Sequence, residues 1–152
     1  MSFELKNKLL LIERVLLLKS LSIFSETPET ILAEIAHLMF EVEVTENEPI
    51  VKEGEIGNCM YIIYKGDVKV HKGNQLLATL KEKDFFGELS LLDTETRSAT
   101  VTSTKDCILY RIDQEPFYDL MECRPEVVKG VIQNLCKQLR DANHKLFNLK
   151  NN

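Results

Sequence analysis

Three patterns of hydrophobic and polar positions follow one another along the chain. A helical pattern of apolar residues comes first, and around Phe40 it changes to short runs of alternating or β-branched residues. Helical spacing returns after Asp113 and again after Pro125. Alternation with period two predicts half-buried strands, whereas apolar residues three and four apart predict helices. The chain is therefore predicted to be α+β, with an antiparallel sandwich or barrel between two helical parts.

The first predicted helix contains the apolar run within residues 7–21. Glu13 and Arg14 divide this run into pieces of four apolar residues, which are too short to span a bilayer. The apolar side chains cover more than one face of the helix: Leu9, Leu10, Leu11, Ile12, Val15, Leu16, Leu17 and Leu18. Such a helix needs cover on several sides. We expect burial in the domain's own core, and the alternative is a contact with another subunit or a further domain.

A second helix is predicted to start at Thr27 and Pro28, an N-cap followed by a proline at the first helical position. Its spacing turns Ile31, Ile35 and Leu38 inward.

The last predicted helix begins near Pro125 and carries a regular apolar seam. A shorter helix precedes it, with Asp113 as its N-cap. The seam residues are spaced 3, 4, 3, 4 and 3 apart: Ile132, Leu135, Leu139, Ala142, Leu146 and Leu149. A period of 3.5 is typical of helix pairing. The alternative is a single stripe laid on the helix's own barrel, and the pattern leaves both interpretations open.

Length and composition limit the class of protein. The 152 residues, 44% of them hydrophobic, suffice for one domain with its own core, 1–152. A formal net charge of −5 argues against nucleic acid as a partner, because phosphates need a basic surface. The four cysteines form no C-x-x-C pair and no secretory signal precedes them, which predicts a cytoplasmic location without disulfides. We expect no direct membrane insertion, and the scattered histidines predict no metal site.

The candidate chemistry lies in residues 84–101, DFFGELSLLDTETRSATV. Gly87 permits close approach of a ligand, and GELSLL suits a short helix whose first N–H groups attract anions. Arg97 offers a planar donor fork for two phosphate oxygens, and Ser98 adds a hydroxyl. Glu88 would repel phosphate but would accept hydrogen bonds from sugar hydroxyls. These residues fit the sugar and phosphate of a nucleotide, and the simpler alternative is a structural ion pair between Glu88 and Arg97.

The motif FGELSLLDTETRSATV resembles the phosphate-binding cassette of the cyclic nucleotide-binding domain family. That family includes regulatory subunits of cyclic-nucleotide-dependent kinases, gates of cyclic-nucleotide-modulated channels and catabolite activator-type regulators. The resemblance extends from SIFSETPETILAEIAHLMFEVEV through YIIYKGDVKV to the last helix. It implies an antiparallel β-roll or jelly-roll barrel flanked by N-terminal helices and a C-terminal helical lid. The implied parts are helices in 1–39, the β-roll in 40–112 with the cassette at 86–99, and the hinge and lid in 113–152.

The same resemblance implies a ligand site of seven residues. Glu88 would bind the ribose 2′-hydroxyl, and Arg97 the equatorial oxygen of the cyclic phosphate. Ser98 and the backbone N–H groups of four residues would complete the phosphate cradle: Gly87, Leu89, Ser90 and Ala99. Thr96 stands where many members have proline, and Ser90 where a small residue such as alanine is usual. These departures bear on affinity more than on chemistry.

The function implied is that of a regulatory sensor with no catalytic activity and no cofactor. Its ligand, cAMP in preference to cGMP, would move the lid from residue 126 onward about a hinge at 117–125. Base contacts could come from Asn134, Lys137 or Arg140, among which no motif selects. The alternative is a degenerate domain that binds no ligand and serves in interaction or dimerisation.

The expected partners are the cyclic purine nucleotide and either a second copy, bound through the C-terminal helix, or an output domain in a longer parent chain. A transcription factor of the catabolite activator type would need a helix-turn-helix domain, for which we expect no room in 152 residues.

Overall fold

The structure is a computed structural model that describes the backbone of residues 3–151 and the side chains of residues 10–151. The helices in this range are α1 (Phe3–Lys19), α2 (Glu29–Ala36), α3 (Glu88–Leu92), α4 (Gln114–Cys123) and α5 (Pro125–Lys150), with a 3₁₀ turn at Ser22–Phe24. The strands are β1 (Phe40–Val44), β2 (Pro49–Val51), β3 (Ile56–Gly57), β4 (Cys59–Lys65), β5 (Val68–Lys72), β6 (Gln75–Leu80), β7 (Phe85–Phe86), β8 (Glu95–Thr96), β9 (Thr100–Ser103) and β10 (Cys107–Asp113). The order of helices, strands and helices confirms the predicted fold class.

The strands pair antiparallel in two four-stranded sheets and one short ribbon. One sheet has the order β1-β10-β4-β7, the other has the order β2-β9-β5-β6, and β3 pairs with β8. Both four-stranded sheets contribute side chains to one core: Val44, Val51, Cys59, Tyr61, Ile63, Val68, Phe86, Val101, Cys107 and Leu109. Two sheets that enclose one core form the β-roll that the family resemblance implies.

Strand β4 takes part in two cores because its side chains alternate. Tyr61 and Ile63 belong to the core inside the roll, whereas Met60 and Ile62 belong to a second core beneath the helices. Helical members of this second core come from both ends of the chain: Leu18, Phe24, Leu32, Ile35, Phe117 and Val127. The helices therefore pack on the outer face of the sheet that contains β4.

Helix α1 buries one face and exposes another. Leu17 and Leu18 are buried in the helical core, whereas Ile12 and Leu16 are 57% and 65% exposed. Burial in the domain's own core is therefore confirmed for one face only. Leu9, named with the apolar set, lies outside the residues whose side chains are described.

Helix α2 begins one residue later than the sequence predicts. Its N-cap is Pro28, and Glu29 is the first helical residue. Thr27 is buried in the preceding turn, where its N–H donates to the carbonyl of Phe24 at 3.0 Å. The prediction of Thr27 as the N-cap is wrong, because the threonine completes the 3₁₀ turn instead.

Only the first turns of α5 pack against the rest of the chain. Its buried residues are Val127, Gly130, Val131 and Asn134, and every residue from 135 to 151 is exposed. The seam residues stand largely in solvent: Ile132 (54%), Leu135 (37%), Leu139 (64%), Leu146 (57%) and Leu149 (73%). The interpretation of the seam as a stripe on its own barrel is therefore wrong. Within the described range, no helix combines the length and the apolar character needed to cross a membrane.

Candidate functional site

The backbone of Arg97 is held by the turn that precedes β3. The N–H of Arg97 donates to the carbonyl of Glu55 at 2.7 Å, and its carbonyl accepts from the N–H of Gly54 at 2.9 Å. Strands β3 and β8 pair beside it, with Gly57 opposite Glu95. These bonds fix the point from which the long arginine side chain enters the interior.

The guanidinium of Arg97 is buried, and none of the carboxylates among the described side chains pairs with it. Arg97 is 9% exposed. Its Nη2 donates to the carbonyl oxygen of Cys59 at 2.9 Å and to the Sγ of Cys59 at 3.2 Å. The ion pairs among the described side chains involve other residues, so the structural pair with Glu88 is not formed. A buried cation without a counter-charge is costly, and an anion bound here would lower that cost.

Two glycines leave the space that this guanidinium occupies. A Cβ on Gly57 would lie 2.5 Å from Nε and 2.7 Å from Cζ of Arg97. A Cβ on Gly87 would lie 2.6 Å from Nη1. Gly87 also has φ 81°, a left-handed conformation that glycine adopts at little cost. The site therefore needs glycine at 57 for space, and at 87 for both space and backbone conformation.

Helix α3 begins directly after Gly87 and uses part of the predicted phosphate cradle for itself. The N–H groups of Ser90 and Leu91 donate to the Gly87 carbonyl at 3.0 and 3.2 Å. The Ser90 amide is therefore bonded within the helix in this structure. The amides of Glu88 and Leu89 precede the first bond of the helix, which leaves them free to meet an anion.

All seven site residues that the sequence predicts line a single cavity of about 470 Å³: Gly87, Glu88, Leu89, Ser90, Arg97, Ser98 and Ala99. The rest of the wall is mainly apolar: Val70, Phe86, Glu95, Thr96 and Val101. An apolar cavity with a few convergent polar groups is the usual form of a small-molecule site, and this volume suits one nucleotide.

A second arginine near the cavity already has its own counter-charge. Phe86 stacks on Tyr61 with ring centroids 5.2 Å apart, and Arg111 lies opposite Tyr61 in the sheet. The Nε of Arg111 is 2.6 Å from Oδ1 of Asp113. Burial raises the pKa of the Tyr61 hydroxyl, which therefore stays neutral. Arg97 is thus the cation of this region that still lacks an anion.

Helix α4 is attached to the cassette by side-chain hydrogen bonds. Gln114 donates from Nε2 to the carbonyl of Ser90 at 3.2 Å and accepts at Oε1 from the hydroxyl of Thr94 at 2.9 Å. The hydroxyl of Tyr118 donates to the carbonyl of Leu92. A displacement of α3 would therefore be passed directly to α4.

No described residue of α5 lines the cavity. Asn134 is buried beside the 3₁₀ turn, where it shares a separate cavity of about 60 Å³ with Ser22 and Lys137. Arg140 lies on the exposed part of the helix. The three candidates for base contacts are therefore away from the cavity, and α5 does not cover it.

The sequence did not identify two residues that shape the site, Gly57 and Cys59. Gly57 has the pattern of an ordinary turn glycine, and no local signal distinguishes Cys59. Both lie next to the Arg97 side chain only because of the fold. Cys59, which accepts a hydrogen bond from Arg97, is 38 positions away from it in the sequence. For metals, the described side chains offer no group of three or more His, Cys, Asp or Glu ligands.

Comparisons with known proteins show which family model and which relatives the sequence is similar to. The sequence matches the family model described as "Cyclic nucleotide-binding domain" over residues 41–123. It is 30% identical to the human "cGMP-dependent protein kinase 2" over 145 residues, which cover 88% of this chain and 19% of the kinase. It is 26% identical to the "CRP-like cAMP-activated global transcriptional regulator" of Mycobacterium tuberculosis over 132 residues, covering 84% of this chain and 59% of the regulator.

A solved structure gives the same result for the fold. The N-terminal domain of a transcriptional regulator from Streptomyces coelicolor A3(2) matches with a TM-score of 0.80 at 26% identity, covering 86% of this chain and 94% of that chain. The chain spans less than two thirds of the length of both curated relatives.

Proposed function

The chain belongs to the cyclic nucleotide-binding domain family, and on this premise we propose that it is a regulatory module that binds a cyclic purine nucleotide and catalyses no reaction. The main support is the buried guanidinium of Arg97, which lines a nucleotide-sized cavity and is paired with no carboxylate in the range 10–151. A cyclic phosphodiester would supply the missing negative charge. No cofactor is needed for this role.

Each proposed contact matches one chemical group of the ligand. Arg97 and the hydroxyl of Ser98 would donate to the exocyclic phosphate oxygens, with the amides of Gly87, Leu89 and Ala99. The Ser90 amide would join them if the first turn of α3 opened on binding. The carboxylate of Glu88, half-buried in the same cavity, would accept from the ribose 2′-hydroxyl.

We propose cAMP as the preferred nucleotide because the remaining wall of the cavity is largely apolar. Among the wall residues not assigned to sugar or phosphate, Val70, Phe86 and Val101 offer no side-chain partner to a base edge, and the two polar ones, Glu95 and Thr96, form β8 directly before Arg97. Guanine would bring one carbonyl and two kinds of N–H donor that need partners, whereas adenine brings fewer such groups. Unpaired polar groups cost binding energy, so the apolar wall favours adenine.

Binding would be coupled to α5 through α4. The bonds of Gln114 and Tyr118 to α3 give the cassette a direct attachment to the hinge. An inward movement of the cassette would draw α4 along and bring α5 toward the cavity. This is a shift between two populated positions of a hinged element.

We propose a second copy of the chain as the macromolecular partner, since the apolar seam of α5 stands in solvent. Nucleic acid is not proposed as a partner of this domain, given the net charge of −5. The four cysteines are free thiols, which supports a reducing location such as the cytoplasm.

Calorimetric titration tests the proposed ligand. We expect heat of binding and thermal stabilisation with cAMP, weaker binding of cGMP, and weaker binding again of 5′-AMP, in which the phosphate ring is open. The 2′-deoxy analogue of cAMP should bind about tenfold more weakly, the worth of one charge-assisted hydrogen bond to Glu88. Absence of heat and of stabilisation with both cyclic nucleotides would overturn the proposal in favour of a ligand-free dimerisation module.

A further inference from the structure

Cys59 holds one end of the Arg97 guanidinium. It is the first residue of β4, is 4% exposed, and lies opposite Asp113 in the sheet. Both of its acceptors point at one nitrogen, with the carbonyl oxygen 2.9 Å and Sγ 3.2 Å from Nη2. The backbone carbonyl would be present with any residue at position 59, so the thiol is the part of this contact that requires cysteine.

The other donors of the guanidinium face different neighbours. A Cβ added at Gly87, at the start of α3, would lie 2.6 Å from Nη1, and a Cβ added at Gly57 would lie 2.5 Å from Nε. Because the guanidinium is planar and rigid, fixing Nη2 fixes the directions of Nη1 and Nε as well. The contact with Cys59 therefore decides which donors are presented to the cavity.

This inference rests on the proposed function. We propose that Cys59 is a positioning residue for nucleotide binding, whose thiol fixes the rotation of the Arg97 guanidinium and thereby selects which exocyclic phosphate oxygen it meets. The residue does not itself touch the ligand, because it is absent from the lining of the cavity. Its effect is carried entirely by Arg97.

Three variants and a matched control test the role of the thiol. C59A removes the acceptor, C59S keeps an acceptor at the same place, and C59V fills the space without an acceptor. The control is C107A, because Cys107 is another buried cysteine of the same core whose Sγ contacts the Asp67 and Lys105 carbonyls and not Arg97. Both alanine variants remove the same atoms from the roll.

The measurement is the dissociation constant for cAMP and for its two phosphorothioate diastereomers, in which sulfur replaces one or the other exocyclic oxygen. We expect C59A to weaken cAMP binding about threefold, because sulfur is a weak acceptor and the carbonyl bond remains, and to reduce the preference between diastereomers. C59S should restore both quantities, and C107A should leave both at the wild-type values. A purely structural effect would lower the thermal midpoint without changing the preference between diastereomers.

The outcomes separate this inference from the proposed function. If the wild type binds cAMP and C59A binds it equally well or more tightly, with the wild-type diastereomer preference, the role of Cys59 is refuted and the proposed function stands. If the wild type binds no cyclic nucleotide, the proposed function fails and the inference fails with it. If C59A does not fold, C59V gives the same comparison, since valine suits a buried strand position.

Discussion

Arg124 binds both carboxylate oxygens of Glu34 and so ties the junction between α4 and α5 to helix α2. Its Nε lies 3.1 and 2.9 Å from the two oxygens, and its Nη2 lies 2.6 Å from Oε1. Helix α4 is thus attached at one end to the cassette and at the other to the N-terminal helices. A cassette movement that reaches α5 has to act against this ion pair.

We expect the E34Q variant to bind cAMP about threefold more tightly than the wild type, within the range of an exposed ion pair. Loss of the carboxylate charge weakens the bond that holds the junction in the open position, so the ligand-competent arrangement is more populated. Titration calorimetry measures the change. The control is E29Q, because Glu29 is on the same helix but pairs with Lys19 at 3.8 Å, away from the junction. Equal or weaker binding by E34Q would show that the pair does not restrain α5.

The R97A variant should lose about 2–5 kcal/mol of cAMP binding, as expected for one side of a desolvated charge pair. Its free form should have nearly the thermal stability of the wild type, because removal of a buried guanidinium that has no carboxylate among the described side chains offsets the loss of its hydrogen bonds to Cys59. R97K should be intermediate, since lysine keeps the charge but not the planar fork. Calorimetry and a thermal melt of each variant provide both numbers. Unchanged affinity in R97A would mean that the phosphate binds elsewhere.

The long strands could be predicted because their patterns are local. β1, β4, β9 and β10 each carry alternating or β-branched residues over four or more positions. β3, β7 and β8 could not be predicted, because two residues are too few to show a period. These short strands are also the ones next to the cavity, so the pattern was weakest where the site is built.

The candidate site likewise has residues that could be predicted from the sequence and contacts that could not. Gly87, Arg97 and Ser98 could be proposed as an anion site from the sequence because their groups suit an anion and lie close together in the chain, whereas Leu89, Ser90 and Ala99 were implied by the resemblance to the phosphate-binding cassette. The contacts of Arg97 with Gly57 and Cys59 were not predictable, since they depend on the register of β3 with β8 and on the depth reached by one side chain. The exposure of the apolar seam of α5 could not be predicted either, because the sequence pattern is the same whether the seam is covered or solvent-exposed.

The G57A variant should weaken cAMP binding by about tenfold to a hundredfold through displacement of the guanidinium. The added Cβ would lie 2.5 Å from Nε and 2.7 Å from Cζ of Arg97, so the guanidinium would have to move from the position in which it bonds to Cys59. The control is G73A at the β5–β6 turn, where nothing lies within 4 Å but φ is +55°. This control should lose about 1 kcal/mol of stability and keep its affinity. Wild-type affinity in G57A would refute the need for space at this position.

Charged substitutions in the α5 seam should convert a dimer to a monomer. L139E and L146E place a carboxylate at positions that are 64% and 57% exposed in the single chain and that would be buried between two paired helices. Burying an unpaired charge is costly, so each variant should raise the dimer dissociation constant by at least about a hundredfold. H144E is the control, because His144 lies on the opposite side of the heptad pattern and should remain in solvent. Sedimentation velocity over a range of concentrations distinguishes the two states. A wild type that sediments as a monomer throughout that range would exclude the seam as a pairing surface and leave α5 with the role of a lid alone.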